Sequence, residues 1–189
     1  MKFLICLLAT LLPLHAEVGP KITAAARQQI GVTLSYKPAY VSLAYPNGDV
    51  PIDGGVCTDV LIRAIRVSLS ADLQKLVHED MRGHFSAYPK NWGLSRPDRN
   101  IDHRRVPNLR AYFKRCGYEL KLPTAGESAA FLPGDIVTCT VPPNLPHVMI
   151  VSDRKTTDGW PLVIHNIGSG AREEDSLRSF PITGHYRWK

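Results

Sequence analysis

Gly54-Gly55-Val56-Cys57-Thr58-Asp59-Val60-Leu61-Ile62-Arg63 reads as a sharp turn giving way to a helix, with a cysteine at the junction. The two glycines let the chain bend and leave the approach to the cysteine unobstructed. At about 100° per residue, Val60, Leu61, Ala64, Ile65, Ser68 and Leu69 share the side of Cys57, whereas Asp59, Arg63 and Arg66 fall opposite. This spacing predicts an amphipathic helix over Thr58–Leu69, with Cys57 at its N-terminal tip on the face that packs against a sheet. Unpaired backbone N–H groups and the helix dipole favour negative charge at such a tip, so the thiol is expected to lose its proton more readily. The same N–H groups are candidates for an oxyanion site. Asp59 points away from Cys57 and is expected to form an exposed pair with Arg63. Four roles stay open for Cys57: packing, half of a disulfide, metal ligand or nucleophile.

The chain of 189 residues is long enough for one domain with a real core. Met1-Lys2 is a short basic start, and Phe3 to Leu14 is nearly all apolar but too short to span a bilayer. Residues 1–16 read as a secretory signal peptide ending near Ala16, followed by a single domain over 17–189. A periplasmic or secreted protein with no integral membrane segment after removal of the leader is expected. Cys6 leaves with the leader, and the odd number remaining, Cys57, Cys116 and Cys139, leaves at least one thiol unpaired in an oxidising compartment. The formal charge of +6 suits anionic partners such as cell-wall polymer, lipid head groups or acidic peptides. The arginines are scattered, without a long basic run, which argues against nucleic acid.

Outward from the opening stretch, a helix is predicted over Ile22–Ile30, a short strand over Tyr40–Tyr45, and helices over Asp72–Phe85 and Val106–Cys116. Between the last two lies a polar, turn-rich loop, 86–105. Short β-type runs follow at Tyr118–Leu122, Asp135–Val141, His147–Ser152, Leu162–Ile167 and Gly184–Trp188. Helices first and strands second is an α+β order, with N-terminal helices packed on a mostly antiparallel sheet.

A thiolate nucleophile needs a base, and the base an orienting group. His147 begins one predicted strand, and His165-Asn166 ends the next. Antiparallel pairing brings His147 beside either His165 or Asn166, and a shift of one residue decides which shares its face. Cys57, His147 and His165 are also legitimate zinc ligands, but no close pair such as CxxC or HxxxH appears, and neither metal nor cofactor is expected. In the loop, Arg99, Arg104 and Arg105 have the forks that grip carboxylates. Pairing with Asp98 and Asp102 would instead brace the loop. His103 is a further candidate contact, and Trp92 and Tyr88 either line a groove or pack the loop.

The strings GGVCTDVLIRA, DLQKLVHEDM, PDRNIDHRRVPNL, PGDIVT, HVMIVSD, PLVIHNIGSG and GHYR resemble the DUF1287 family of exported bacterial proteins across nearly the whole mature chain. That family is similar to the NlpC/P60 superfamily, which has a papain-like fold and acts on cell-wall peptides. The resemblance implies Cys57 as nucleophile, His147 as base and His165 as orienting residue, with Arg99, His103, Arg104, Arg105 and Asn166 as candidate substrate contacts. CTD stands here where CSG is common in that superfamily, and the Arg-rich loop is an addition. The implied activity is hydrolysis of an amide bond by a monomeric thiol enzyme, with peptidoglycan stem peptides as the substrate class. A non-catalytic cell-wall-binding protein on the same fold, or an acyl or amide transferase, is the alternative.

Overall fold

The computed structural model describes residues 15–124 and 126–189. The expected leader therefore lies outside the described residues, apart from its last two positions. Helix α1 (His15–Arg27) begins upstream of the predicted Ile22 and ends before Ile30. Pro20 sits inside it on the exposed side, while Ile22, Ala25 and Ala26 are buried against the next helix. That helix is α2 (Cys57–Leu69). Its first turn is closed by Asp59, whose Oδ2 accepts the Val56 N–H at 2.6 Å. It ends at Ser70 in the left-handed conformation, with φ 53°.

Helix α3 (Leu73–His84) is capped by Asp72, which accepts the Gln74 N–H at 3.2 Å. Helix α4 (Val106–Arg115) carries Pro107 in its first turn, where no intrahelical N–H bond is lost. The segment 40–45 is not a strand. It is extended but unpaired, held by side chains: Asn100 Oδ1 accepts the Leu43 N–H at 3.0 Å, and Tyr40 bonds Asp98 and Asn100. The short strand in this part of the chain lies earlier, where β1 (Ser35–Tyr36) runs parallel to β2 (Gly54–Gly55).

The remaining strands are β3 (Glu119–Leu120), β4 (Ile136–Val141), β5 (Leu145–Lys155), β6 (Pro161–His165), β7 (Arg172–Glu174) and β8 (Ile182–Tyr186). They form one antiparallel sheet in the order β3-β8-β4-β5-β6-β7. The protein is thus α+β, with four α-helices among the described residues. Strand alternation divides the core. Ile136, Val148, Ile150, Ile164 and Tyr186 face the helices and meet Cys57, Leu61, Ile65, Leu109 and Phe113. Val137, Cys139, Met149, Val151 and Val163 face the other way, under Phe131 and Leu177 with Trp160 and Phe180. Because both sides are covered, the strands read as nearly continuous apolar runs rather than as strict alternation.

Helix α1 meets the sheet where backbone touches backbone. Thr23 Oγ1 donates to Val151 O at 3.1 Å, and Gly19 lies against Pro133-Gly134. Gly134 has φ +81°, and a Cβ on it would run into the Gly19 backbone; Gly117 has φ +71° but open space around it. Gly117→Ala should therefore cost only the left-handed strain, about 1–2 kcal/mol. Gly134→Ala should cost clearly more, because α1 must also move off the sheet. Urea denaturation of the two variants side by side measures the difference.

Candidate active site

Cys57 is the first residue of α2 and is 5 % exposed. Its sulfur lies at the backbone N–H of Val148, the residue after His147, and at the N–H of Thr58. The helix tip and burial pull the thiol in opposite directions, and burial wins: the pKa is pushed up to about 12, against the pull of those two N–H groups. The nearby Asp59 carboxylate adds to the rise. The expected easier deprotonation is thus reversed at rest, because packing the apolar face of α2 on the sheet removes water from the sulfur.

The β5/β6 register sets Ile150 opposite Ile164 and Val151 opposite Val163. Continued by one pair it puts Met149 opposite His165, so His147, two residues from Met149, shares the face of His165 on the diagonal. His147 Nε2 and His165 Nδ1 are 2.7 Å apart, with the rings edge-on at 5.0 Å between centroids. Burial first, and the neighbouring His165 second, push His147 down to about 3. His165 is also lowered, by burial, although Glu174 opposes the shift. Among the described residues the His147 ring makes no other hydrogen bond, so its Nδ1 is without a protein partner.

Asn166, the other candidate for orienting the base, has a different task. Its Nδ2 donates to Ser35 O at 3.1 Å and Gly55 O at 3.0 Å, and its Oδ1 accepts from the Gly168 and Gly170 N–H groups. Its two donors fasten β1 and β2, the lead-in to Cys57, and its oxygen closes the turn that follows β6.

Most of the Arg-rich loop is likewise engaged. Arg104 is buried and forks onto Asp59, with Nε and Nη2 each 2.9 Å from a carboxylate oxygen, and also reaches Lys37 O and Ala39 O. The pair expected between Asp59 and Arg63 does not form. Arg63 instead forks onto Asp49 and donates to Thr33, Val50 O and Gly54 O. Both side chains are buried rather than exposed because residues 33–55 and the Arg-rich loop cover that side of α2. Arg105 pairs with Asp102 at 3.0 Å and lies over the Trp92 ring at 4.1 Å. His103 is buried, and Tyr88 is buried against Asp80. Arg99 alone of these four loop residues is exposed, at 5.7 Å over Tyr45. Arg104 and Arg105 thus brace the loop, whereas the His103 ring is buried with its Nδ1 unpaired.

Two residues near the site carry no motif in the sequence. Tyr36, on β1, is part-exposed and its phenol is raised to about 12, by burial first and then by the charges of Cys57 and Asp59. Glu174, on β7, places Oε1 2.9 Å from His165 Nε2. Strand β7 was not predicted, since Arg-Glu-Glu has no β-type pattern; the only signal for it was the PLVIHNIGSG turn that returns the chain antiparallel. The cysteines Cys57, Cys116 and Cys139 are free, and no cluster of three metal-ligating side chains occurs among the described residues.

An α+β domain with a buried thiol at a helix tip, against a sheet whose adjacent strands β5 and β6 each carry one of two bonded histidines, is the class that the fold and site define. The chain belongs to the DUF1287 family, described as "Domain of unknown function (DUF1287)", whose profile matches residues 23–188. It is similar to "Uncharacterized protein YijF" of Escherichia coli (strain K12), with 52 % identity over 179 residues, covering 95 % of this chain and 86 % of the relative. No solved structure matches it significantly.

Arg104→Ala would leave the Asp59 carboxylate buried without its partner and should cost about 3–5 kcal/mol, read from urea denaturation. The histidines set an acid limit. Unfolded rings titrate near about 6.5, but His147 and His103 are held down to about 3 and about 4. Between those values the unfolded chain binds more protons, so stability is full above about pH 6.5 and falls as pH falls, by roughly 2 kcal/mol per ring from about pH 7.5 to about pH 5. His103→Gln should flatten that slope in melts recorded across the same range.

Proposed function

We propose that this protein is a thiol hydrolase of an amide bond, most specifically in peptidoglycan stem peptides, with a papain-like, NlpC/P60-type arrangement of its site. The observation that carries the reading is the Cys57 sulfur at the Val148 N–H of β5, one residue along the strand from His147, whose ring is bonded to His165. His147 Nδ1 is the base. It takes the thiol proton as sulfur attacks the carbonyl carbon, then returns it to the leaving amine as the C–N bond breaks. Water adds to the resulting thioester by the same route in reverse, releasing the acid and restoring the thiol. With the thiol high and the imidazole low, the resting pair is neutral, so proton transfer accompanies attack rather than preceding it. In this reading the Thr58 N–H, which at rest bonds the Cys57 sulfur, receives the oxyanion. The formal charge of +6 and the implied export suit an anionic wall polymer.

A second reading, a wall-binding protein without catalysis, is favoured by one observation: the thiol raised to about 12 with no hydrogen bond to His147. Purified peptidoglycan incubated with the wild type should yield new muropeptide masses, and Cys57→Ala should abolish them while leaving the thermal melt intact. Equal products from Cys57→Ala would overturn the hydrolase, and the absence of products from both proteins, together with an alkylation-resistant Cys57 at all pH values, would favour the binding protein.

A further inference from the structure

We propose that Glu174 is a positioning residue that, through His165, fixes which nitrogen of His147 is free to act as base. The inference rests on the hydrolase reading for its purpose, but its geometry stands independently of it. Strand β7 pairs with β6 so that Val163 lies opposite Glu174 and His165 opposite Arg172. Glu174 is thus diagonal to His165 on one face of the sheet, as His147 is on the other side of His165. Three neighbouring strands, β5, β6 and β7, each contribute one member of a line: His147 Nε2 to His165 Nδ1 at 2.7 Å, and His165 Nε2 to Glu174 Oε1 at 2.9 Å.

The direction of that line follows from its far end. An ionised carboxylate only accepts, so His165 Nε2 carries a hydrogen and donates it to Glu174. Burial keeps both rings in the neutral form. A neutral imidazole with its hydrogen on Nε2 has its lone pair on Nδ1. His165 Nδ1 therefore accepts, and His147 must donate from Nε2. That places the lone pair of His147 on Nδ1, the nitrogen with no protein partner among the described residues. Reversing every hydrogen would set the His165 Nε2 lone pair against the carboxylate oxygen and put a hydrogen on His147 Nδ1, where it could not accept a proton from a thiol. Glu174 is the one charged member of the line, and it is what excludes the reversed state.

The neighbouring acid makes the contrast. Glu173, opposite Ile164, points to the other side and is taken up by Arg27, Arg154 and Ser152. Among the described residues Glu174 has no arginine or lysine hydrogen-bond or ion-pair partner; its other side-chain contact is the Ser176 hydroxyl at 3.5 Å. Its side chain is 36 % exposed, on an edge strand, so a substitution there does not open the core.

Protein labelled with ¹⁵N-histidine and long-range ¹H–¹⁵N correlation spectra read the tautomers directly, with no substrate. The wild type should show both His147 and His165 protonated on Nε2; a hydrogen on Nδ1 of either ring overturns the inference at once. In Glu174→Gln the amide can donate as well as accept, so the single tautomer should give way to a mixture. Muropeptide turnover should fall in kcat by on the order of tenfold or more, at an unchanged KM, with Glu174→Asp restoring part of both. Unchanged tautomers in Glu174→Gln would also overturn it. If Cys57→Ala proved as active as the wild type, the hydrolase reading alone would fall, and the tautomer spectra would still decide the role of Glu174.

Discussion

The buried pair of Asp59 and Arg104 holds together three stretches that no secondary structure joins. Asp59 closes the first turn of α2 through the Val56 N–H, and Arg104 spans from that carboxylate to the carbonyls of Lys37 and Ala39. Thr58 Oγ1 adds a bond to Arg104 O at 3.1 Å. The helix tip that carries Cys57, the extended chain leading from β1 and the Arg-rich loop therefore share one fixed point. A desolvated fork of this kind is stable only with both partners in place. The ordering of the loop and the presentation of the thiol thus depend on each other.

On the opposite side of the same tip, Asn166 does with neutral hydrogen bonds what Arg104 does with charge. By fastening Ser35 O and Gly55 O, it couples the end of β6 to β1 and to the residue that precedes Val56 and Cys57. His165 and Asn166 are adjacent and face opposite sides of the sheet. One joins the histidine line, and the other holds the chain that leads to Cys57. Movement of β6 would disturb both.

The electrostatics of the site follow from burial more than from any single contact. Cys57 and Cys139 are raised and His147, His165 and His103 are lowered, with loss of water the leading cause in each. A helix dipole is felt most where the terminus is partly open. Here the terminus is roofed by the segments that Asp59 and Arg104 draw together.

The sequence by itself determined the periodic and local features. The phase of Thr58–Leu69 placed Cys57 on the apolar face, and helical spacing found α3 and α4. The β-type runs after residue 117 located five strands of the antiparallel sheet, because backbone period and apolar pattern are local properties. The pairing of His147 with one of two neighbours was also legible, but not which one. Only tertiary structure decided that, since register is set by how β5 and β6 pack on both faces. The same holds for Asp59 and Arg104, 45 residues apart: helical phase pointed Asp59 away from Cys57 but could not show that another segment would cover it. Glu174 was beyond the reach of sequence for the same reason. Its role arises from an edge strand too short and too polar to leave a pattern, placed by the fold against a histidine nine positions away.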